Sequence, residues 1–416
     1  MKPQRTFLLF AVTILAWTTI CALIACGSHG AGETSANVSG ETSAFEAAKA
    51  VPDLDEIVAS GELIIATLSG PDTYYDYHGV PMGREYAFVA AFAADEGLRV
   101  RVELCADTSA VFRLLSAGEA DLVMLPLTKA EVEARHGVAV GQRKDSKHFW
   151  AVSPQTPLLA EAINRWATTV DVAKTTRQET ERENTRRVVR RNVNPRYLNK
   201  DAGVISTYDD LFKDAAAQTG WDWRLIAAQC YQESGFDPQA VSGAGARGLM
   251  QIMPTTAANY GVAAADLFQA SKNVHTAGRH IATLNKNFIH IRSNSERIKF
   301  VLAAYNGGEG HIRDAMRLCE KYGGNASLWT DVRTYVWHLQ EARYYRDPVV
   351  KHGYMIGSET TEYVDRILEA YQTYSGVALQ TTPSAAIDAN SREHKHKKNR
   401  YSREHKILTP EELSRL

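Results

Sequence analysis

Between residues 52 and 170 the apolar positions switch back and forth between two periods. Glu62-Leu63-Ile64-Ile65-Ala66-Thr67 is a short apolar run of strand length, and Leu98-Arg99-Val100-Arg101-Val102-Glu103 alternates with period two, so both are predicted as strands. Between them, residues 84–96 carry Tyr86, Phe88, Val89 and Phe92 at helical spacing. A helix over 111–117, a turn at Gly118-Glu119-Ala120-Asp121 and a buried strand at Leu122-Val123-Met124-Leu125 follow. A returning strand at Phe149-Trp150-Ala151-Val152 and a last helix over 157–167 close the set. Such alternation implies an α/β fold, a parallel sheet covered by helices.

From residue 208 the pattern changes to helices alone, predicted over 208–218, 223–233, 254–260, 271–288, 295–306, 308–322, 329–339 and 361–372, with no strand run among them. The second of these carries the chemistry. It is apolar, it puts Ile226, Cys230 and Glu233 on one face, and Gly235 and Pro238 stop it. Glu233 therefore sits in the last turn, where loss of water and the negative helix end both favour a protonated carboxyl. A carboxylic acid kept neutral near neutral pH is what cleavage of a glycosidic bond needs, because the departing sugar oxygen must receive a proton. Taken alone, Glu233 also fits a solvated residue at a helix end.

Three separated motifs in order change that balance: Glu233-Ser234, then Gly245-Ala246-Arg247-Gly248-Leu249-Met250-Gln251-Ile252-Met253-Pro254, then Ala304-Tyr305-Asn306-Gly307-Gly308. Together they resemble the lytic transglycosylases with a goose-lysozyme-like (SLT) domain, over roughly residues 205–375. Gly307 stands where that family usually has Ala. The resemblance implies an all-α, lysozyme-like catalytic domain acting on peptidoglycan glycan strands, with Glu233 catalytic and Ser234, Met250, Gln251, Tyr305 and Asn306 binding substrate. Met250 and Gln251 are expected to face the sugar, and Ser234 to hold a substrate carbonyl. Glu359-Thr360-Thr361-Glu362-Tyr363-Val364 is similar to a later family motif, which adds Tyr363 to the cleft; the Glu-Thr pair also reads as a helix cap.

The same resemblance implies the reaction. Retaining and inverting glycosidases need two carboxylates flanking the bond, whereas these motifs supply one, and nothing in the pattern marks the nearby Asp237 as a partner. With Glu233 as both acid and base, the second proton comes from the C6 hydroxyl of N-acetylmuramic acid, leaving a 1,6-anhydro end. A lysozyme-like hydrolase on the same fold and a non-catalytic periplasmic binding lipoprotein are the alternatives.

The α/β region, 52–170, resembles the first lobe of a periplasmic amino-acid-binding protein, and the whole chain resembles the branch of the transglycosylases that joins such a region to the catalytic domain. Two departures stand out. Only a short stretch separates Met124 from the returning strand, so the second lobe of the clamshell is missing. Where such binders often carry Arg three residues after a Thr, Thr128 is followed by Glu131. A cleft needs two walls to bury a ligand, so this region is expected to be a scaffold without tight amino-acid binding.

At the N-terminus, Lys2 and Arg5 precede an apolar run over 7–24 that ends in Leu23-Ile24-Ala25-Cys26. This resembles a lipoprotein signal box, so residues 1–26 are expected to be a signal peptide and Cys26 a lipid anchor in the outer membrane, periplasmic face. Residues 27–51, rich in Gly, Ser, Ala, Thr and Glu, form a flexible tether. Residues 171–204 form a connector with eight Lys/Arg against three Asp/Glu between 177 and 200, and the tail 376–416 is basic and expected to be disordered.

Composition adds bounds. A chain of 416 residues has room for two or three domains, and 44% hydrophobic with 23% charged residues is ordinary for a globular protein. A formal charge of −1 gives no argument for nucleic acid. Beyond Cys21 and Cys26 there remain Cys105, Cys230 and Cys319, an odd number, and no Cys-x-x-Cys or His cluster has metal-ligand spacing. Neither metal nor cofactor is expected.

Overall fold

A computed structural model describes residues 51–376 apart from Arg187 and Val193. The expected signal peptide with Cys26, the tether up to residue 50 and the tail from residue 377 lie outside the described residues.

The first lobe runs α1 (Leu54–Ser60), β1 (Glu62–Leu68), β2 (Tyr75–Tyr77), β3 (Val80–Met82), α2 (Arg84–Asp95), β4 (Arg99–Cys105), α3 (Thr108–Ser116), β5 (Leu122–Leu127), α4 (Lys129–Glu133), β6 (Val138–Val140), β7 (Phe149–Val152) and α5 (Pro157–Thr169). Five strands form one sheet in the order β4-β1-β5-β7-β6. The expected parallel sheet is in fact mixed: β4 and β5 lie parallel to β1, but β7 runs antiparallel to β5 and β6 antiparallel to β7. The β6 strand, Val138-Ala139-Val140, was too short to read from periodicity and adds to the same sheet, so the segment between β5 and β7 builds no second lobe. One face of the sheet buries Phe88, Phe92, Trp150 and Ile163, the other Val111, Phe112, Leu115 and Val132.

Thr128 and Glu131 form a capping box at the start of α4: the Glu131 carboxylate accepts from the Thr128 backbone N–H at 2.8 Å and from its hydroxyl at 2.7 Å. A position that could grip a ligand carboxylate is spent on a helix end.

The β2–β3 pair, absent from the sequence reading, is a separate hairpin. His78 and Gly79 occupy its two-residue turn with φ of +54° and +79°, the conformation a tight hairpin with native twist requires at both positions. Asp76 Oδ1 accepts from the Gly79 N–H at 2.6 Å and fixes the turn.

The basic connector contains α6 (Val172–Thr185), which packs on α2, and β8 (Val189–Arg190). Asp171 caps α6 through Lys174 N–H. The helical domain follows: α7 (Asp209–Thr219), α8 (Trp223–Ser234), β9 (Val241–Ser242), α9 (Pro254–Ala258), a 3-10 turn at Ala264–Phe268, α10 (Ala270–Asn287), α11 (Asn294–Gly307), α12 (Glu309–Lys321), α13 (Trp329–His338), α14 (Ala342–Tyr345) and α15 (Gly357–Ser375). The expectation of no strand is corrected by β9, which pairs antiparallel with β8 over two residues and ties the connector to this domain. The helix α15 starts four residues before the predicted 361, since Glu359 and Thr360 already lie in its first turn. Around α8 and α11 the core buries Phe212, Ile226, Phe300, Leu302 and Val364.

Candidate active site

The α8 helix is fixed at both ends. Asp222 accepts from the Arg224 N–H at 2.9 Å and pairs with the Arg224 guanidinium, capping the start. Gly235 at φ +62° ends it in the left-handed conformation that glycine takes without strain. Arg191, from the connector, donates to the Gln232 carbonyl at 3.2 Å and so satisfies one of the last orphan acceptors.

Glu233 thus projects from the last turn into a cleft of about 370 Å³ that Gln251, Tyr305, Asn306 and Tyr363 also line. The Tyr363 hydroxyl donates to Glu233 Oε1 at 2.5 Å and accepts from Gln229 Nε2 at 3.1 Å. Burial pushes the Glu233 carboxyl up to about 8; the Tyr363 hydrogen bond and the Arg191 charge pull the other way without cancelling it. Burial also raises the Tyr305 and Tyr363 phenols well above their ordinary range, so both stay hydrogen-bond donors.

The second motif forms a loop held from beneath. Asn273 on α10, fully buried, accepts from the Met250 N–H at 2.8 Å and donates to the carbonyls of Arg247 (2.8 Å) and Leu267 (2.9 Å). Gly248 has φ +75°, and a Cβ there would stand 2.2 Å from the Leu267 carbonyl oxygen, so the close approach excludes any side chain. Gln251 itself sits at φ +46°.

That geometry alters three expectations. Met250 does not face the cleft: its side chain is fully buried in the core, and it contributes its carbonyl, which accepts from the Tyr305 hydroxyl at 2.8 Å. The methionine lining the cleft is Met253. Ser234 is also fully buried, its hydroxyl donating back to the Cys230 carbonyl at 3.3 Å instead of facing substrate. Gln251 reaches the cleft wall, but its Nε2 is held by the carbonyls of Ala240 and Gly248, and its Oε1 is buried without a hydrogen-bond partner. Asn306 accepts from the Thr360 hydroxyl at 2.7 Å, linking the third motif to α15. Asp237 is buried and caps backbone, accepting from Asn192 and Gln239, which gives it a structural part.

Sequence reasoning missed several cleft residues. Glu359 and Glu362 both line the cleft; Glu359 accepts from Tyr77 at 2.8 Å and faces Arg186, and Glu362 pairs with Arg366. Tyr77, His78 and Arg186, outside the helical domain, line it too. Asn273 carried a readable signal, a polar residue in an apolar stripe with Val274, Ala277 and Ile281. The hairpin residues carried none, because their partners are distant in sequence.

Residues 210–327 match the family model described as the transglycosylase SLT domain. The membrane-bound lytic murein transglycosylase F of Aeromonas salmonicida is 36% identical over 177 residues, covering 42% of this chain and 34% of that protein. Its namesake from Desulfosudis oleivorans is 38% identical over 167 residues, covering 40% of this chain and 36% of the other. The chain therefore spans about a third of the length of these curated relatives. Among solved structures, an inactive mutant of the lytic transglycosylase Slt from Pseudomonas aeruginosa is similar at 20% identity and a TM-score of 0.31, over 42% of this chain and 26% of that one.

Proposed function

We propose that this chain is a peptidoglycan lytic transglycosylase that cleaves the bond between N-acetylmuramic acid and N-acetylglucosamine and leaves a 1,6-anhydromuramyl end. The observation that carries this reading is the state of Glu233: a carboxyl in a cleft, with its pKa raised by burial to about 8 and a phenol donating to one oxygen. Such a group is still an acid near neutral pH, so it can protonate the glycosidic oxygen as the bond to C1 breaks. Once ionised, it is a stronger base than an ordinary glutamate. It then takes the proton of the muramyl C6 hydroxyl as that oxygen bonds to C1, and is restored as the acid. The Tyr363 hydroxyl strengthens its hydrogen bond when Glu233 carries charge, which steadies the intermediate state. Asn306 and Tyr305, which line the cleft beside Glu233, are the polar groups offered to the acetamido sugars.

The SLT match over 210–327 and the relatives named as lytic murein transglycosylases support the same reading. A hydrolase reading draws on Glu359 and Glu362, carboxylates that could activate water. Mass analysis of products from purified cell wall separates the two: 1,6-anhydro ends support transglycosylation, and reducing ends support hydrolysis. Glu233→Gln, which keeps shape but carries no transferable proton, should lower release at least to the upper end of the roughly 10²–10⁴-fold range for general acid–base catalysis. An active, folded Glu233→Gln variant would remove the mechanism.

We place the enzyme at the outer membrane, held by lipid on Cys26 with the peptidoglycan as its partner; the relatives' description as membrane-bound supports the coarser part of this. A fatty-acid analogue should label the wild type and not Cys26→Ala. The α/β lobe is read as scaffold, in keeping with the Thr128–Glu131 capping box.

A further inference from the structure

The β2–β3 hairpin of the α/β lobe lies across the glycan cleft and touches both of its walls. On one side the Tyr77 hydroxyl donates to Glu359 on α15 at 2.8 Å, and Ile356 and Tyr354 pack against the hairpin's buried cluster of Tyr75, Tyr77 and Met82. On the other, Ala244 in the loop after β9 packs against the same cluster, and the turn approaches α9, where a Cβ on Gly79 would stand 3.7 Å from Thr255 Oγ1. His78, at the tip, lines the same cleft as Glu233.

The hairpin is braced from behind. Glu179 of α6, buried, accepts from the Gly83 N–H at 2.9 Å; Arg182 donates to the Pro81 carbonyl at 2.8 Å and pairs with Glu179. Gly83, at φ +125°, fits so closely that a Cβ would lie 2.3 Å from the Thr73 carbonyl oxygen. Arg186 stacks over the Tyr77 ring, 5.6 Å from its centroid, and faces Glu359. With contacts on both walls and a helix behind, the hairpin is built as a fixed wall.

Its place along the cleft is set by α15. Glu359, which holds the hairpin, precedes Tyr363, which holds Glu233, by four residues, or roughly 6 Å along a helix axis. Acid and wall are thus anchored about one turn apart on the same helix, which keeps the wall close to the acid.

We infer that the hairpin closes one end of the cleft and makes the enzyme a terminal cutter, removing units of about disaccharide size from glycan strand ends instead of cleaving within them. This rests on the function proposed above: a strand threaded through an open cleft can be cut anywhere, whereas a blind cleft admits only an end.

The test uses the full-length protein and purified, uncross-linked glycan strands, with product lengths followed by chromatography and mass spectrometry from the earliest time points. The wild type should release disaccharide-size anhydro products from the outset while the remaining strands shorten gradually. A Tyr77→Ala/His78→Gly double variant, checked for fold by circular dichroism, should yield fragments several disaccharides long. Early mid-length fragments from the wild type would overturn the inference, as would a folded variant that still releases only disaccharides. A wild type inert on strands but activated in the variant would make the hairpin a lock and also overturn it. Should the variant not fold, the wild-type length profile decides alone. Failure of the function itself has a separate signature, no soluble muropeptides from whole cell wall.

Discussion

Tyr363 on α15 and Glu233 on α8, 130 residues apart in the chain, share a 2.5 Å hydrogen bond in which the phenol donates to the carboxyl. The bond favours the ionised form of Glu233, against burial, which favours the neutral one; burial prevails. Activity needs the neutral acid, so it should fall as pH rises through about 8. Tyr363→Phe removes a group that lowers the pKa, so the alkaline limb should move to higher pH while the rate at its plateau drops. A pH–rate profile of muropeptide release for both proteins checks this; a limb that moves down would contradict it.

The same carboxyl makes a prediction about stability. In the unfolded chain Glu233 titrates near 4.5, and in the fold near 8, so between these values the folded state holds a proton that the unfolded state has released. Folding is then progressively opposed as pH rises through that window, by up to about 1.4 kcal/mol per pH unit. Glu233→Gln abolishes the effect. Its melting temperature should match the wild type below pH 4.5 and exceed it at pH 8, read by calorimetry at both.

Asn273→Ala should strip three hydrogen bonds from the buried loop at once. The Arg247 carbonyl keeps the Ile252 N–H, but leaving the buried Met250 N–H unpaired costs about 1–3 kcal/mol and the Leu267 carbonyl loses a partner too, so a loss of at least that size is expected, with cleavage falling as well because Met250 and Gln251 lose their seat. Chemical denaturation and muropeptide release measure the two. Stability within 1 kcal/mol of wild type would show that the loop is held by something else.

Gly307→Ala introduces the residue usual in the family that this motif resembles, yet should destabilise this chain. A Cβ there would lie 2.7 Å from Met355 Cε and 2.7 Å from the Thr360 hydroxyl. Overpacking of this kind costs about 1–3 kcal/mol. The Thr360–Asn306 hydrogen bond lies beside it, so the affinity for strands should weaken too. A thermal melt showing equal or greater stability would refute the packing argument.

What the sequence disclosed and what it withheld divide along physical lines. Glu233, Tyr305 and Tyr363 were legible as cleft residues because each lies in a motif, and all three line the cleft. The strands β1, β4, β5 and β7 and the long helices were legible because their periods are strong. Met250 and Ser234 were not, because the direction of a side chain is set by backbone conformation: Gly248 and Gln251 are both left-handed, and that turns Met250 into the core. The antiparallel β7 was hidden for a related reason, since alternating residues look the same whichever way a strand runs. The hairpin wall was invisible, for nothing local in Tyr77 or His78 points to residues on α15.

That last separation has a consequence for assembly. Tyr77 bonds to Glu359 across 282 residues, and Ser69 to Tyr354 across 285. Contacts of such long range are expected late in folding, because the chain entropy lost in closing them is large. The helical domain buries a core of its own, so Glu233 and its neighbours can be in place before the hairpin docks. A nascent or partly folded molecule would then pass through a stage with an armed acid and an unfinished cleft. Order of folding, and not only final shape, would then decide when the acid stands behind its hairpin.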